Sequence, residues 1–548
     1  MTGSSSFDLT TEPWIPVLDV EGAVRELSPV EVVEQAHRLV AVVGELPTQG
    51  FALTRLLLAV LHRAVRGPAD AVAWEELWRT DGLPVDDVAR YLEAWRHRFD
   101  LFSADTPFFQ VAGLATGKGE VSGLEKLIAD IPNGHAYFTT RAGADLSRIG
   151  PAEAARWLVH AQAFNPSGIK SGAVGDDRVK GGRGYPIGIA WAGNLGGVLL
   201  QGTTLRDTLL LNLLPYQDAE MEWGAPEDDL PVWERPPITP AVELVDGIPR
   251  RRPRGPADLY TWPSRRVRLA GDAGGITGVL IANGDPLEPQ NRHTVEPMSA
   301  WRRSAAQEKK RGEPLVYMPK EHSIERVFWR GLAALLPQGA RRGQDRGGAQ
   351  SLPPPVVEWL ARVRYDDALP EEYPVRLRAV GLVYGSMDSV VTELIDDELS
   401  LSVAVLRASQ PELGQEAVRA VGAAEHAVRA LTRLAGNLAA AGGRDPEGAG
   451  ARAGELGYAA LDTPFRRWLA DLRSDSVLHE VEEDWHRRVA RIVRDLARDL
   501  VESAGAAAWK GREVNKRHLD AALADIFFDT ELRKAVPRAF AEPVPAGR

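Results

Sequence analysis

The sequence predicts a mixed chain of helices and strands that ends in an antiparallel helical bundle. Three observations point there. Short apolar runs bounded by Gly, Pro and Asp alternate with segments of helical period through the larger N-terminal part. Beyond Pro374 the pattern turns helical and stays so, in long segments with brief interruptions. At 548 residues the chain exceeds one small core, so several domains, or a large domain with a smaller one attached, are expected. The expected division is a large mixed domain over 1–380 and a helical bundle over 381–548.

The opening FDLTTEPWIPVLDVEGAVRELS reads as strand, turn, strand, with apolar residues from Trp14 to Leu18 and a turn at Glu21-Gly22. Helical patterns follow from Pro29 to His37 and from Thr54 to Arg66, the second with Leu56, Leu57, Val60 and Leu61 on one face. Trp74, Leu77 and the stretch from Tyr91 to Phe99 continue this helical start. From Asp105 to Gly196 the texture changes. The segment from Ile131 to Gly143 has no clear period, and Phe164 to Tyr185 is rich in glycine. Loops this long inside a compact domain tend to be functional or disordered. Thr204 to Leu214 fits a helix or a buried strand, and an acidic, Pro-rich connector follows from Pro226 to Pro240. Residues 241–320 mix short strands with basic turns, and Arg341 to Gln350 reads as a mobile surface loop. The C-terminal helical candidates are Tyr384–Arg407, Gln415–Ala441, Pro464–Leu472 with its flanks, and Ser476–Ala507. They are interrupted at Gly442-Gly443 and by a Gly/Pro-rich run to Gly450, and a last helical segment covers Asn515 to Arg533.

Composition narrows the function. Hydrophobic residues make up 44% and charged residues 26%, an ordinary globular balance. No apolar run approaches the roughly 18 residues that cross a bilayer, so no membrane partner is expected. The start MTGSSSFDLTTEPW shows no basic and apolar export signal, and a cytoplasmic protein is the simplest expectation. Cysteine is absent, which excludes disulfides, thiol nucleophiles and Cys-ligated metal. The net charge of −11 argues against a protein that coats nucleic acid, because phosphate binding needs surplus Lys and Arg. A chain that touches a short stretch of DNA through a few loops is less constrained, since local clusters then matter more.

Catalytic motifs fail on inspection. Gly168-Ile169-Lys170-Ser171 lacks the upstream glycine and spacing of a phosphate loop. His479-Glu480 with His486 misses the zinc-helix pattern, because Glu483 stands where a second histidine is needed. No paired carboxylates sit in a catalytic frame, so neither an enzyme nor a cofactor is expected.

Other features survive. In RRRPRGPADLYTWPSRRVR, Arg250, Arg251, Arg252, Arg254, Arg265, Arg266 and Arg268 flank Tyr260 and Trp262. Such a patch fits a nucleic-acid backbone by neutralisation and stacking, or a surface turn paired with the acidic connector. On the helix from Glu482 to Val501, Arg487, Arg491, Arg494 and Arg498 form a stripe apart from the apolar face of Val489, Ile492, Val493, Leu496 and Leu500. The stripe fits phosphate tracking, or a solvated face paired with Asp484, Asp495 and Asp499. The loops at 131–143 and 164–185 offer small side chains and open backbone, suited to close approach to a groove or to a disordered surface.

The chain also resembles a known family. FDLTTEPWIPV, TPFFQV (Thr106 to Val111), GLEKLIAD (Gly123 to Asp130), FNPSGIKSG (Phe164 to Gly172), LRDTLLLNLL (Leu205 to Leu214) and RGPADLYTWPSRRVRL (Arg254 to Leu269) look like CasA proteins, the large subunits of type I-E CRISPR Cascade. The resemblance implies an α+β N-terminal domain joined to a C-terminal four-helix bundle. It implies recognition of the protospacer-adjacent motif in double-stranded DNA, help in opening the duplex, and recruitment of a helicase-nuclease, with no chemistry by the subunit itself. Partners would be the other Cascade subunits, the guide RNA that reads the target, the DNA and the nuclease. The motif-reading loop corresponds to Ala136–Gly143, centred on Phe138, Thr139 and Thr140. The glycine loop corresponds to Asn165–Gly168, with Asn165, Ser167 and Gly168 as contacts and Pro166 and Ser167 as departures from a glycine-richer pattern. Arg292 is the basic finger for a narrow groove. The wedge is the turn Gly385-Ser386-Met387-Asp388, with Met387 as its apolar tip. Some relatives carry a cysteine cluster; this chain has none, so no metal is expected. Competing readings are a DNA-processing nuclease, which would need clustered carboxylates or histidines, and a purely structural scaffold.

Overall fold

The computed structural model describes residues 6–131, 147–242, 251–323, 327–337, 349–362, 369–370, 372–407 and 411–541, with the backbone at 244–245 and 248–249. It divides into two units, Met1–Ile324 with Arg342–Ala368 and Val375–Glu398, and Glu325–Arg341 with Leu369–Pro374 and Leu399–Arg548.

The first unit opens as expected, with β1 (Ile15–Asp19) and β2 (Val24–Leu27) joined by a turn that the Asp19 carboxylate tightens by accepting from the Glu21 and Ala23 amides. Helix α1 (Pro29–Gln35) starts at a reciprocal Ser28/Glu31 cap, which satisfies amides a helix start leaves open. β3 (Leu39–Val42) then completes a sheet of order β2-β1-β3. Helix α2 (Pro47–Val65) is buried on nearly every side, so its sequence shows less polarity than a surface helix would. The helices α3 (Ala71–Arg79), α4 (Val85–Trp95) and α5 (Pro151–Phe164) follow, and α4 and α5 both pack on α2.

The glycine-rich stretch holds only a short pair, β4 (Lys170–Ser171) with β5 (Arg183–Gly184). β6 (Gly197–Gln201) precedes α6 (Leu205–Leu211), which settles the helix-or-strand choice as helix. Thr204 caps it by accepting from the Asp207 amide. The mixed region beyond holds the pair β7 (Leu244–Val245) and β8 (Ile248–Pro249), then α7 (Pro256–Tyr260) against α2. A long hairpin of β9 (Arg265–Asp272) and β10 (Gly275–Asn283) follows. β11 (Trp301–Arg303), α8 (Ala305–Arg311), β12 (Tyr317–Pro319) and β13 (Ser351–Leu352) form a small sheet with its helix, and α9 is Pro355–Arg362. Most of the surface loop expected at Arg341 to Gln350 lies outside the described residues.

The first expected helix of the C-terminal region, Tyr384–Arg407, is not one. β14 (Pro374–Tyr384) and β15 (Val391–Ser402) form a hairpin in a sheet of order β15-β14-β6, and only Val403–Leu406 turns helical, as α10. Buried Val375, Leu377 and Ala379 alternate with Arg376 and Arg378, a period of two. Arg378 pairs across the hairpin with Asp396 at 2.7 Å, and β-branched Val383, Val390, Val391 and Thr392 favour the strand around its turn. Residues 380 and 381 both lie within β14, which belongs to the first unit.

The second unit is a four-helix bundle of α11 (Glu412–Ala441), α12 (Pro446–Ala470), α13 (Leu478–Glu502) and, after the short α14 (Ala506–Lys510) and the hairpin β16 (Arg512–Val514)–β17 (Arg517–Leu519), α15 (Ala521–Ala535). The other three long helices pack on α11. The interruption expected at Gly442-Gly443 separates α11 from α12, whereas the part of the Gly/Pro-rich run from Pro446 to Gly450 is the start of α12. A Cβ at Gly457 would lie 3.1 Å from Val428, so glycine permits the close crossing of α11 and α12. Asn515 to Arg533, expected as one helix, instead begins in the β16–β17 hairpin. Trp329 stacks on Phe465 at 4.5 Å, and Trp485 meets the same ring edge-on at 5.2 Å in the bundle core. The architecture is α+β with a C-terminal four-helix bundle.

Candidate nucleic-acid interface

Helix α5 stops at Phe164 because Asn165 precedes Pro166, which disfavours helical backbone at the residue before it. The chain then turns through Ser167 and Gly168. Gly168 has φ +106°, a conformation that side chains rarely adopt, and lies against Ser389.

Arg265, the first residue of β9, holds this turn from beneath. Its Nε donates to the Asn165 side-chain oxygen at 2.9 Å, and Nη2 donates to the carbonyls of Asn165, Pro166 and Gly188 at 3.0, 3.0 and 2.8 Å. Nη1 donates to the Ser264 carbonyl. The guanidinium is 1% exposed and these acceptors are neutral; burial pushes it down to about 10, still charged at neutral pH.

A second element joins the loop. Tyr384, at the end of β14, donates its hydroxyl to the Phe164 carbonyl at 2.7 Å, and burial pushes its phenol up, so it stays a donor. The Ser167 amide donates to the Asp388 carbonyl at 2.8 Å. Loop 165–168 and the β14–β15 turn are thus hydrogen-bonded together. That turn is closed by Gly385 donating to Val390 and Asp388 donating to Gly385, both at 2.9 Å. Met387 and Asp388 both sit in the left-handed region at φ 54° and 55°, a costly conformation for non-glycine residues. Met387 is 85% exposed at the tip. Beside the junction lies a cavity of about 250 Å³, bordered among the described residues by Lys126, Ile128, Ser167, Lys170, Ser389 and Val390.

The family model for CRISPR-associated protein Cse1 matches residues 8–496. The chain belongs to the CasA/Cse1 family. A CasA/Cse1 protein of Thermus thermophilus is 32% identical over 95% of this chain and 96% of its own length. Cse1 of Thermobifida fusca superposes with a TM-score of 0.91 at 48% identity, covering 98% of this chain and 99% of that one. Cse1 of Acidimicrobium ferrooxidans gives 0.80 at 31% identity, covering 97% and 98%. A chain of a CRISPR RNA-guided surveillance complex shares the fold, with a TM-score of 0.65 at 21% identity over 90% of this chain and 99% of that one.

Of the residues that the family resemblance nominated, Asn165, Ser167, Gly168, Ser386, Met387 and Asp388 come together at this junction. Asn165 and Ser167 are buried, however, and the Asn165 side-chain oxygen is taken by Arg265. The exposed side chains of this pair of segments are those of the turn, Ser386, Met387 and Asp388. Phe138, Thr139 and Thr140 lie outside the described residues. Arg292 lies elsewhere: its Nε donates to the Glu288 carbonyl at 3.1 Å, and burial, followed by nearby Arg252, pushes its guanidinium down.

Arg250 lies outside the described residues, and the rest of the arginine patch divides between interior and surface. Arg266 and Arg251 share Asp285, at 2.6 and 3.0 Å, and Arg251 also pairs with Asp258 while lying 4.4 Å over the Trp262 ring. Trp262 is 3% exposed, and Tyr260 carries the Arg55 guanidinium 4.2 Å over its ring, so neither is an open stacking platform. Arg252, Arg254 and Arg268 remain exposed. The acidic partners, Asp258 and Asp285, come from within and after the patch rather than from the connector before it, and the connector's Arg235 also pairs with Asp258.

On α13, Arg487 pairs with Glu483, Arg498 with Asp495 at 2.9 Å, and Arg494 with Asp529 at 2.7 Å while lying 4.4 Å over Phe540. Only exposed Arg491 shows no such partner. Of the local partners expected for a solvated face, Asp484, Asp495 and Asp499, Asp495 pairs with the stripe, while Asp484 pairs with Arg488. His486 is buried and accepts from the Arg538 amide at 3.3 Å. Among the described residues, no three His, Cys, Asp or Glu side chains cluster as metal ligands, and no helix is long and apolar enough to cross a membrane.

Arg265 and Tyr384 are the positioning residues that sequence reading missed. Arg265 stands among basic neighbours in RRVR, and its burial shows only once the carbonyls of Asn165, Pro166 and Gly188 are placed against it. Tyr384 was hidden at the start of the supposed helix.

Proposed function

We propose that this chain is the non-catalytic large subunit of a type I-E CRISPR surveillance complex, acting in the cytoplasm beside guide RNA and the other Cascade subunits. It recognises the protospacer-adjacent motif in target double-stranded DNA, helps to open the adjacent base pairs, and recruits the helicase-nuclease. The observation that carries the reading is the junction of loop 165–168 with the β14–β15 turn, sealed by the Ser167–Asp388 hydrogen bond. A backbone-faced loop suits close approach to a groove, and an exposed methionine on a strained, anchored turn suits insertion between base steps. Minor-groove contacts distinguish base pairs coarsely, so the motif is tolerant rather than one strict trinucleotide. Family membership supports the setting, and a chain of the same fold occurs in an RNA-guided surveillance complex.

The test is capture of short duplexes, with and without candidate motifs, by a guide-loaded complex assembled with or without this chain. Capture of motif-bearing duplex only by the complete complex is expected. Equal capture without the chain would leave it a scaffold.

A further inference from the structure

Lys170 is a partly buried cation that the recognition reading leaves without a task. It lies on β4, two residues past Gly168, and borders the 250 Å³ cavity. Its ammonium makes one long hydrogen bond, 3.4 Å to the Ser167 carbonyl, although it carries three donors. Among the described residues no carboxylate pairs with it. Burial pushes it down to about 7, and the neighbouring charges of Arg265 and Lys126 push the same way. Other titratable groups on the cavity wall are Glu125, which does not pair with Lys170, and His160 on α5, which burial holds neutral with a pKa of about 3. Ser171 and Ser389 border the same space.

With one long hydrogen bond for its three donors and the buried Arg265 charge nearby, the Lys170 ammonium borders an open cavity with donors to spare. The geometry points to a phosphate-binding site centred on Lys170, in which a phosphate oxygen supplies the acceptor that the ammonium lacks and offsets the adjacent positive charges. Lysine serves phosphate as a point charge, and such contacts fix register without reading sequence. For its occupant the inference rests on the DNA-recognition reading: a backbone phosphate of the strand lying across loop 165–168 enters the cavity. Binding then raises the lysine's proton affinity, so capture takes up a proton near neutral pH.

Two measurements test it. In the full chain carrying ¹³C-dimethylated lysines, the Lys170 signal is assigned with Lys170→Met and titrated with pH in inorganic phosphate and in chloride of matched ionic strength. An upward shift of its midpoint by about one pH unit in phosphate alone is expected. In the guide-loaded complex, Lys170→Met should weaken motif-bearing duplex binding about tenfold and reduce the slope of log affinity against log salt by about one. Neutralising one backbone linkage as a methylphosphonate should cost wild type the same factor and cost the variant nothing more. A phosphate-dependent shift without a change in duplex slope keeps the site and overturns DNA as its source. No shift and no change in slope overturns the site itself. If the wild-type complex captures no duplex, the recognition reading fails, and the lysine titration alone decides.

Discussion

Replacing Arg265 by lysine keeps the charge and removes the planar fork. Five acceptors now depend on that fork: the Asn165 side-chain oxygen and the carbonyls of Asn165, Pro166, Gly188 and Ser264, at 2.8–3.0 Å. A lysine ammonium cannot meet acceptors spread around the guanidinium edge, so at least two lose their donor. The Asn165 carbonyl keeps the Ala190 amide at 3.0 Å, which limits the damage. Each stranded buried acceptor costs about 1–3 kcal/mol. Water entering from the adjacent cavity recovers part of this, leaving ~2 kcal/mol to be expected. The loss falls on loop 165–168 rather than on the core of the unit. It should appear as local opening, with the Ser167 amide exchanging roughly 30-fold faster, since ~2 kcal/mol corresponds to that factor. Capture of motif-bearing duplex by the complex should fall about 10- to 30-fold, with assembly unchanged. Hydrogen exchange at Ser167 and duplex-binding isotherms read the two effects separately. Unchanged exchange refutes the role of Arg265 as the anchor; faster exchange with unchanged capture refutes the loop as a reader.

Met387→Ala should leave stability within about 0.5 kcal/mol, because the side chain is 85% exposed. Opening of the base pairs beside the motif, followed by 2-aminopurine fluorescence, should fall about tenfold, since wedge insertion repays a few kcal/mol of unstacking. Glu296 is fully buried, accepts from both Arg55 nitrogens at 2.8 Å and from Trp191 Nε1 at 2.7 Å, so Glu296→Ala should cost about 3–5 kcal/mol in denaturant unfolding of the unit. His160, bonded to Thr48 at 3.0 Å, is held by burial at about 3 against an ordinary 6.5. Between these values the unfolded chain binds the extra proton, so this contribution is intact above pH 6.5 and is lost as pH falls toward 3. The slope is at most ~1.4 kcal/mol per pH unit, and His160→Gln should flatten that part of a stability-versus-pH curve.

Much of this fold is legible in the sequence where local signals and tertiary packing agree. The β1–β2 turn, α2 and α11 follow from turn chemistry and apolar periodicity. Elsewhere the environment overrode the local signal. Two-residue alternation in β14 was masked by the helical segments that follow it, and the glycines of α12 look like a loop until α11 is placed against them. Charge was the least informative feature of the site. Seven arginines between 250 and 268 suggested a surface, yet Arg265 and Arg266 are interior residues that hold other segments in place. The pairing of loop 165–168 with a turn more than 200 residues later depends on backbone hydrogen bonds, and no spacing rule exposes those.

The central claim is that this junction faces DNA beside the motif. Its most direct test is a photo-crosslinking amino acid at position 387 in the guide-loaded complex, with crosslinked nucleotides mapped along a motif-bearing duplex. The account predicts crosslinks confined to the first base pairs beside the motif and lost when the motif is scrambled. Crosslinks to protein subunits alone, or to DNA without regard to the motif, would contradict it.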